Sequence, residues 1–255
     1  MIFKQMFSEP PAFAFTVNGS GLTSTNVRTA ALAAGWDGSA PVVCTLTGTF
    51  TYSGGSTPDA ALVVAGSFPG GITVINKAVV RGKSGYGGRG GDAYNSPNAS
   101  AAGLPGGTAL FVSTPCVFDN QGSLLGGGGG GGGGGSWTDT GSGTPPNTYG
   151  GGGGGSGQGA GPYTGDTMIG APGGTATYNG SKGGDGSVSS RGGGGAGGGS
   201  GLGGNGGNGG TWGQPGTSGV SKTYAGAAGG RAGYAVDGNS YITWINTGTR
   251  TGGIV

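Results

Sequence analysis

Ten consecutive glycines, Gly126 to Gly135, constrain this chain more than any other feature. A helix is excluded there, because each glycine in a helix interior costs about 1 kcal/mol relative to alanine. Disorder is the other default, since glycine loses more conformational freedom on folding than any other residue. With 74 glycines in 255 residues and no strict repeat, composition alone reads as low complexity. Two observations oppose that reading. Charged residues make up only 8% of the chain, whereas disordered chains combine low hydrophobicity with high charge. Apolar, strand-like segments also recur between the glycine runs.

An ordered role for such runs exists in left-handed extended helices with three residues per turn. In polyglycine II packing, neighbouring chains of this kind bond through their backbone N–H and C=O groups, which burial obliges to find partners. A period of three is visible in Gly203-Gly204-Asn205, Gly206-Gly207-Asn208 and Gly209-Gly210-Thr211. It predicts Asn205, Asn208 and Thr211 on one edge with the glycines facing neighbours. The unbroken run at 126–135 is expected to be surrounded on every side. Collagen is disfavoured, because no Gly-X-Y register is sustained and 13 prolines are too few. Matches to G-x-G-x-x-G are unavoidable in such a chain and carry no information on nucleotide binding.

Residues 1–81 read as an ordinary small α+β unit. Thr25-Asn26 precedes Val27, Ala30, Ala31 and Ala34, an i, i+3, i+4, i+7 face closed by Gly35. That spacing predicts a short capped helix with Trp36 packed behind it. Val42–Leu46, Phe50–Tyr52, Ala61–Val64 and Ile72–Asn76 read as strands between Gly, Ser and Pro turns. From Gly82 the composition changes abruptly: glycine runs alternate with inserts at Tyr94–Leu104, Trp137–Tyr149, Tyr163–Met168, Thr175–Lys182 and Trp212–Tyr224. A weak repeat adds order. Segments Val74–Gly82, Val117–Gly126 and Ile245–Gly252 share an apolar pair, an asparagine near a turn and a short strand entering glycine. In two of them Asn-x-Gly supplies the backbone tolerance of a tight turn, and repetition of one unit implies stacking.

Chemistry is sparse. The chain has no histidine, the side chain most used for proton transfer near neutral pH and the commonest transition-metal ligand. Glu9 is the single glutamate among nine acidic residues, and the aspartates lie far apart. No enzyme, metal or cofactor is expected. Arg81, Lys83 and Arg89 beside Tyr86 fall far short of a basic stripe, so no nucleic acid is expected. Cys44 and Cys116 fit no metal or redox spacing and sit in apolar contexts, where buried free thiols are the default. No stretch approaches the roughly 20 apolar residues of a membrane span, and the N-terminus lacks a signal-peptide layout. Synthesis in a cytoplasm without membrane insertion is expected.

The runs Gly126–Gly135, Gly150–Gly155 and Gly192–Gly210, separated by short tyrosine- and tryptophan-bearing segments, resemble the distal long-tail-fibre adhesins of T-even-like phages. The resemblance covers residues 82–255. The closing segment Gly238–Arg250 also resembles an ending found in glycine-rich phage tail proteins. The resemblance implies a mostly β or irregular fold: an attachment domain at 1–81, then a glycine-rich polyglycine-II sandwich at 82–255 that displays receptor-binding loops. It implies a virion tail-tip protein. Its partners would be other tail proteins, through the N-terminal domain, and a bacterial surface receptor such as an outer-membrane protein, polysaccharide or pilus. Aromatics suit such loops because they offer large contact area with few rotatable bonds. The candidates are Trp137, Tyr149, Tyr163, Met168, Trp212 and Tyr224, followed by Tyr94 and Tyr178. Trp36, Trp244 and Ile245 are expected to pack structurally. Alternatives are a structural tail-tip cap or fibre-assembly component, and a glycine-rich ice-binding protein, against which the irregular aromatic inserts count.

Overall fold

A computed structural model describes residues 11–22, 24–52, 59–93, 99–139, 147–159, 167–168 and 178–255. Two parallel sheets and a glycine lattice make up the described chain. The first sheet is laid down in rungs. β1 (Phe13–Leu22) pairs along its whole length with β3 (Val42–Thr51). On the other side of β3 lie β5 (Ile72–Asn76) along its first half and β6 (Val79–Arg81) along its second. β8 (Cys116–Asn120) and β9 (Ser123–Leu125) follow, then β15 (Ile242–Asn246) and β16 (Thr249–Thr251). The second sheet repeats the ascent with β2 (Thr25–Asn26), β4 (Ala60–Val64), β7 (Thr108–Val112), β14 (Tyr234–Asp237) and β17 (Gly253–Ile254), all parallel. Each rung therefore contributes one path to each sheet. Leu46, Val80 and Leu124 from the first sheet meet Leu62, Leu110 and Val236 from the second in one buried core.

The three repeats seen in the sequence are consecutive rungs, in register except for a shift between Trp244 and Asn246 that sets Asn246 opposite Asp119. Asn76 lies opposite Asn120, and their side chains form a buried ladder. Asn76 Nδ2 donates to Asn120 Oδ1 at 2.7 Å, and Asn120 Nδ2 donates to the Thr247 carbonyl at 2.7 Å. Asn76 Oδ1 accepts from the Ala78 N–H at 3.0 Å. Each asparagine thus satisfies a break in its strand from a neighbouring or local backbone group, which is why the residue recurs at this corner.

The predicted helix is α1 (Val27–Ala33). Asn26 Oδ1 accepts from the N–H groups of Arg28 and Thr29 at 2.9 and 3.3 Å, an N-cap of the expected type. Gly35 follows at φ +100°. Trp36 is buried, stacks on Phe68 with ring centroids 5.4 Å apart, and donates from Nε1 to the Ala40 carbonyl. Trp244 packs on Phe118 and lies under Arg250. Ile245 differs from expectation: it is 60% exposed, because Ile242 and Trp244 take the core-facing positions of β15 and Ile245 is the unpaired residue at the register shift between Trp244 and Asn246.

Strand pairing crosses the compositional boundary at residue 82. The chain leaves the body after β6, passes through glycine-rich segments at 82–107 and returns as β7. It leaves again after β9, runs through 126–233 and returns as β14. Four connections therefore join the lattice to the sheets.

The lattice follows three-residue periodicity throughout. The N–H groups of Gly127, Gly130 and Gly133 donate to Gly107, Leu104 and Ala101; those of Gly128, Gly131 and Gly134 to Gln158, Gly155 and Gly152; those of Gly129, Gly132 and Gly135 to Gln214, Thr217 and Val220. Their carbonyls accept from three further segments: Gly85, Gly88 and Gly91; Gly210, Gly207 and Gly204; Gly233, Gly230 and Ala227. Every backbone donor and acceptor from Gly127 to Gly135 is used, at 2.7 to 3.0 Å, by six surrounding segments. This is polyglycine II packing, and the central run is enclosed as expected. Asn205, Asn208 and Thr211 are exposed on one edge. Asn205 and Asn208 accept from the otherwise edge-facing N–H groups of Gly197 and Gly194 at 3.0 and 2.9 Å.

Two inserts are more ordered than their composition suggested. Gln214, Thr217 and Val220 accept lattice bonds, as do Ala101 and Leu104, so 214–220 and 101–104 are lattice strands rather than displayed loops. The inward positions of 214–220 are Gly216 and Gly219, which face Gly130 and Gly133 of the central run.

Both cysteines are free and buried. Burial pushes the Cys44 thiol up from 9.0 to about 12 and the Cys116 thiol up to about 11. Each stays neutral when folded across a range where it would ionise when unfolded. Their contribution is complete below pH 9.0 and lost as pH rises toward about 11 and about 12. The expected result is a thermal midpoint that falls above pH 9, together with thiol alkylation that proceeds only on unfolding. Rapid alkylation of the native chain at pH 8 would contradict this placement.

Candidate functional site

The lattice has two unlike ends. Near Gly126 it joins the parallel sheets: Gly126 donates to Thr251 and accepts from Gly213. At 3.1 Å per residue, Gly135 lies about 28 Å further along. The far end is built from the chain reversals next to Gly135: residues 136–139 and 147–149, 198–203 and 221–226, with 99–100 alongside.

β10 (Trp137–Thr138) pairs antiparallel with β11 (Thr148–Tyr149), placing Trp137 opposite Tyr149. Their rings stack at 5.0 Å between centroids and 29° between planes. Tyr178 forms a parallel bridge with Tyr149, and its ring stacks on that of Tyr149 at 4.9 Å and 10°. Gly150 donates to the Tyr178 carbonyl and Tyr178 donates to the Thr148 carbonyl, which fixes the third ring to the second strand. The result is a three-ring stack. Tyr149 is buried in the middle, Trp137 is half-buried and Tyr178 is 45% exposed. Such stacked pairs gain about 0.5–1.5 kcal/mol each beyond their area burial.

Other sequence candidates fall in different places. Tyr224 is half-buried at the same end, where its N–H donates to the Ser136 carbonyl at 3.1 Å. Trp212 is half-buried in the reversal at the opposite end, next to Gly213 and close to Gly252. It is not brought together with the stack, because residues 214–220 run as a lattice strand between them. Met168 belongs to β12 (Thr167–Met168), which pairs with β13 (Gly186–Ser187). Tyr94 and Tyr163 lie outside the described residues. Sequence reasoning passed over Leu202 and Val220, which are 45% and 49% exposed at the far end; for Leu202, a large aliphatic residue isolated between glycines was the available signal.

The lattice surface carries few free charges in its described parts. Lys83 pairs with Asp59 at 2.7 Å and lies over the Tyr52 ring. Arg89 pairs with Asp92, and Lys182 with Asp185 at 2.8 Å. The last two pairs are spaced i, i+3, the spacing that brings side chains onto one edge of a three-residue helix. Among the described residues no group of His, Cys, Asp and Glu could hold a metal ion. No helix there is long and apolar enough to cross a membrane.

A rigid backbone lattice, tied to a β body at one end and carrying aromatic side chains on reversals at the other, defines a scaffolded display protein. The chain belongs to a family of such proteins: the profile described as "Phage tail fibre adhesin Gp38" matches residues 13–255. It is a tail-fibre adhesin of a bacteriophage. No curated protein matches it. Among solved structures it is similar to the gp37–gp38 adhesin tip complex of the bacteriophage S16 long tail fibre, at 25% identity and a TM-score of 0.54. That match covers 94% of this chain and 82% of the other.

Proposed function

We propose that the far end of the lattice is the receptor-contact face, and that the parallel-sheet body carries the attachment to a neighbouring tail-fibre protein. The three-ring stack of Trp137, Tyr149 and Tyr178 at the end remote from the body is the observation that carries the reading. A surface that grips a partner by shape and area needs exposed apolar groups held still. Tyr178, Leu202 and Val220 supply the exposure, and the hydrogen-bonded lattice removes most of the ordering cost that flexible loops would pay. The receptor lies on the bacterial surface and is an outer-membrane protein, a polysaccharide or a pilus.

Two observations support attachment through the body. The solved relative is described as a complex with gp37 at a fibre tip. In this chain the last rung leaves Ile245, Ile254 and Val255 exposed beside a strand edge that has no partner among the described residues, a surface suited to strand-edge pairing. Recognition by this reading is binding without catalysis, consistent with a chain that has no histidine.

The test is binding of N-terminally labelled protein to host and non-host cells, as monomer and as an engineered multimer. Saturable, host-selective binding that the multimer strengthens through avidity is expected. Absence of selective binding in both forms would leave the chain as a fibre-tip structural component.

A further inference from the structure

The geometry points to Gly199, which makes no outward-facing contact of its own, as the residue that sets the position of the receptor-contact stack and so tunes specificity. This inference rests on the reading of the stack as the contact face.

The reversal at 198–203 is unusual for this chain. Gly199 (φ 64°, ψ 47°) and Ser200 (φ 56°, ψ 37°) are both left-handed, and Ser200 is the one non-glycine with positive φ among the described residues. A serine held there is strained, a condition that persists only where the surroundings over-determine it. The surroundings are specific. The Gly198 N–H donates to the Gly150 carbonyl at 2.8 Å, and the Gly203 N–H closes the turn onto the Gly198 carbonyl at 3.0 Å. Gly150 directly follows Tyr149, so the turn stands against the middle member of the stack. A Cβ built on Gly199 would collide with Cδ1 and Cε1 of the Tyr149 ring.

Most other glycines of the lattice are hemmed in by backbone; this one is hemmed in by an aromatic ring. The Tyr149 ring rests edge-on against the bare Cα of Gly199, with Trp137 and Tyr178 stacked to either side. Any side chain at 199 must push Tyr149, and Tyr149 cannot move without shifting both partners. Residue 199 therefore controls ring placement without belonging to the lattice interior, a site where a small change alters the contact face and spares the scaffold. It is a positioning residue, not a contact.

The test compares Gly199→Ala, Tyr149→Leu and the double variant by near-ultraviolet circular dichroism, thermal melting and host-cell binding. Coupled rings give a dichroic signature that a merely stabilising residue would not move. The Gly199→Ala spectrum is expected to shift toward that of Tyr149→Leu, with binding weakened at least about tenfold and the melting midpoint within a few degrees of wild type. In the Tyr149→Leu background, Gly199→Ala is expected to add no further loss, because it acts through that ring. An unchanged Gly199→Ala spectrum would overturn the seating of Tyr149 on residue 199, whatever the binding does. A shifted spectrum with undiminished binding would overturn the contact reading of the stack instead, and the specificity role with it. Additive losses in the double variant would overturn action through Tyr149.

Discussion

Gly131→Ala is expected to lower the thermal midpoint by about 10 °C or to prevent folding, whereas Gly193→Ala leaves it within about 2 °C. Both substitutions add one methyl group to a glycine of the same lattice. At Gly131 the new Cβ points at the carbonyl of Gly207 and the backbone of Asn208, at separations under 3.0 Å that real Cβ atoms do not show. Neither obstacle is a side chain that could rotate away. Both are backbone already committed to hydrogen bonds, since Gly207 donates to the Gly132 carbonyl and accepts from Gly155. Relief requires separating strands, and each separation stretches a file of bonds. Overpacking of a tight interior costs about 1–3 kcal/mol and more where nothing can yield, so a value on the order of 3 kcal/mol is expected. Gly193 is exposed, its added Cβ would find only Asn208 Oδ1 at 3.9 Å, and its φ is not positive. Alanine there also restricts the unfolded chain, which favours folding slightly. Differential scanning calorimetry of the two variants checks the contrast, and equal tolerance at both sites would refute close polyglycine II packing.

The second large effect is on binding. Tyr178→Ala is expected to weaken host-cell binding at least about tenfold, equivalent to ~1.4 kcal/mol, with the melting midpoint almost unchanged. Tyr178 gives the stack its exposed face, and its ring is held by π-contact with Tyr149 rather than by the lattice. Its backbone bonds to Gly150 and Thr148 survive truncation. Trp137→Ala is expected to weaken binding by a similar factor while unsettling Tyr149 from the other side. Trp212→Ala, at the end joined to the body, is expected to bind cells as wild type does. Equilibrium binding to host cells, read beside melting curves, separates these cases; an intact Tyr178→Ala with a defective Trp212→Ala would invert the polarity assigned to the molecule.

Much of this was legible in the sequence where the governing physics is local. The helix follows from Asn26 and Gly35 bracketing an apolar period, and the lattice edge follows from asparagines spaced by three beside paired glycines. The stacked repeats were visible because Asn76 and Asn120 occupy the same corner on successive rungs. Connectivity was not legible. Asn120 bonds to Asn76 and to Thr247, which lie 44 and 127 residues away, and no local pattern announces so distant a partner. Composition therefore drew a boundary at residue 82, whereas strand pairing carries 108–125 and 234–254 back to the body. The site divides the same way. Trp137, Tyr149 and Tyr178 were each conspicuous as aromatics between glycines. Their meeting depends on a short antiparallel pairing, a single parallel bridge and a left-handed turn. Gly199 looked like any other glycine of its run, because what distinguishes it is the ring it supports.

Site-specific photocrosslinking tests the polarity of the adhesin most directly. A photoreactive aromatic residue is placed at position 178 in one protein and at position 212 in another, and each is irradiated on host cells. Covalent capture of a cell-surface component from position 178 and none from position 212 is the expected result. Capture from position 212 alone would contradict the assignment of the far end of the lattice as the receptor-contact face.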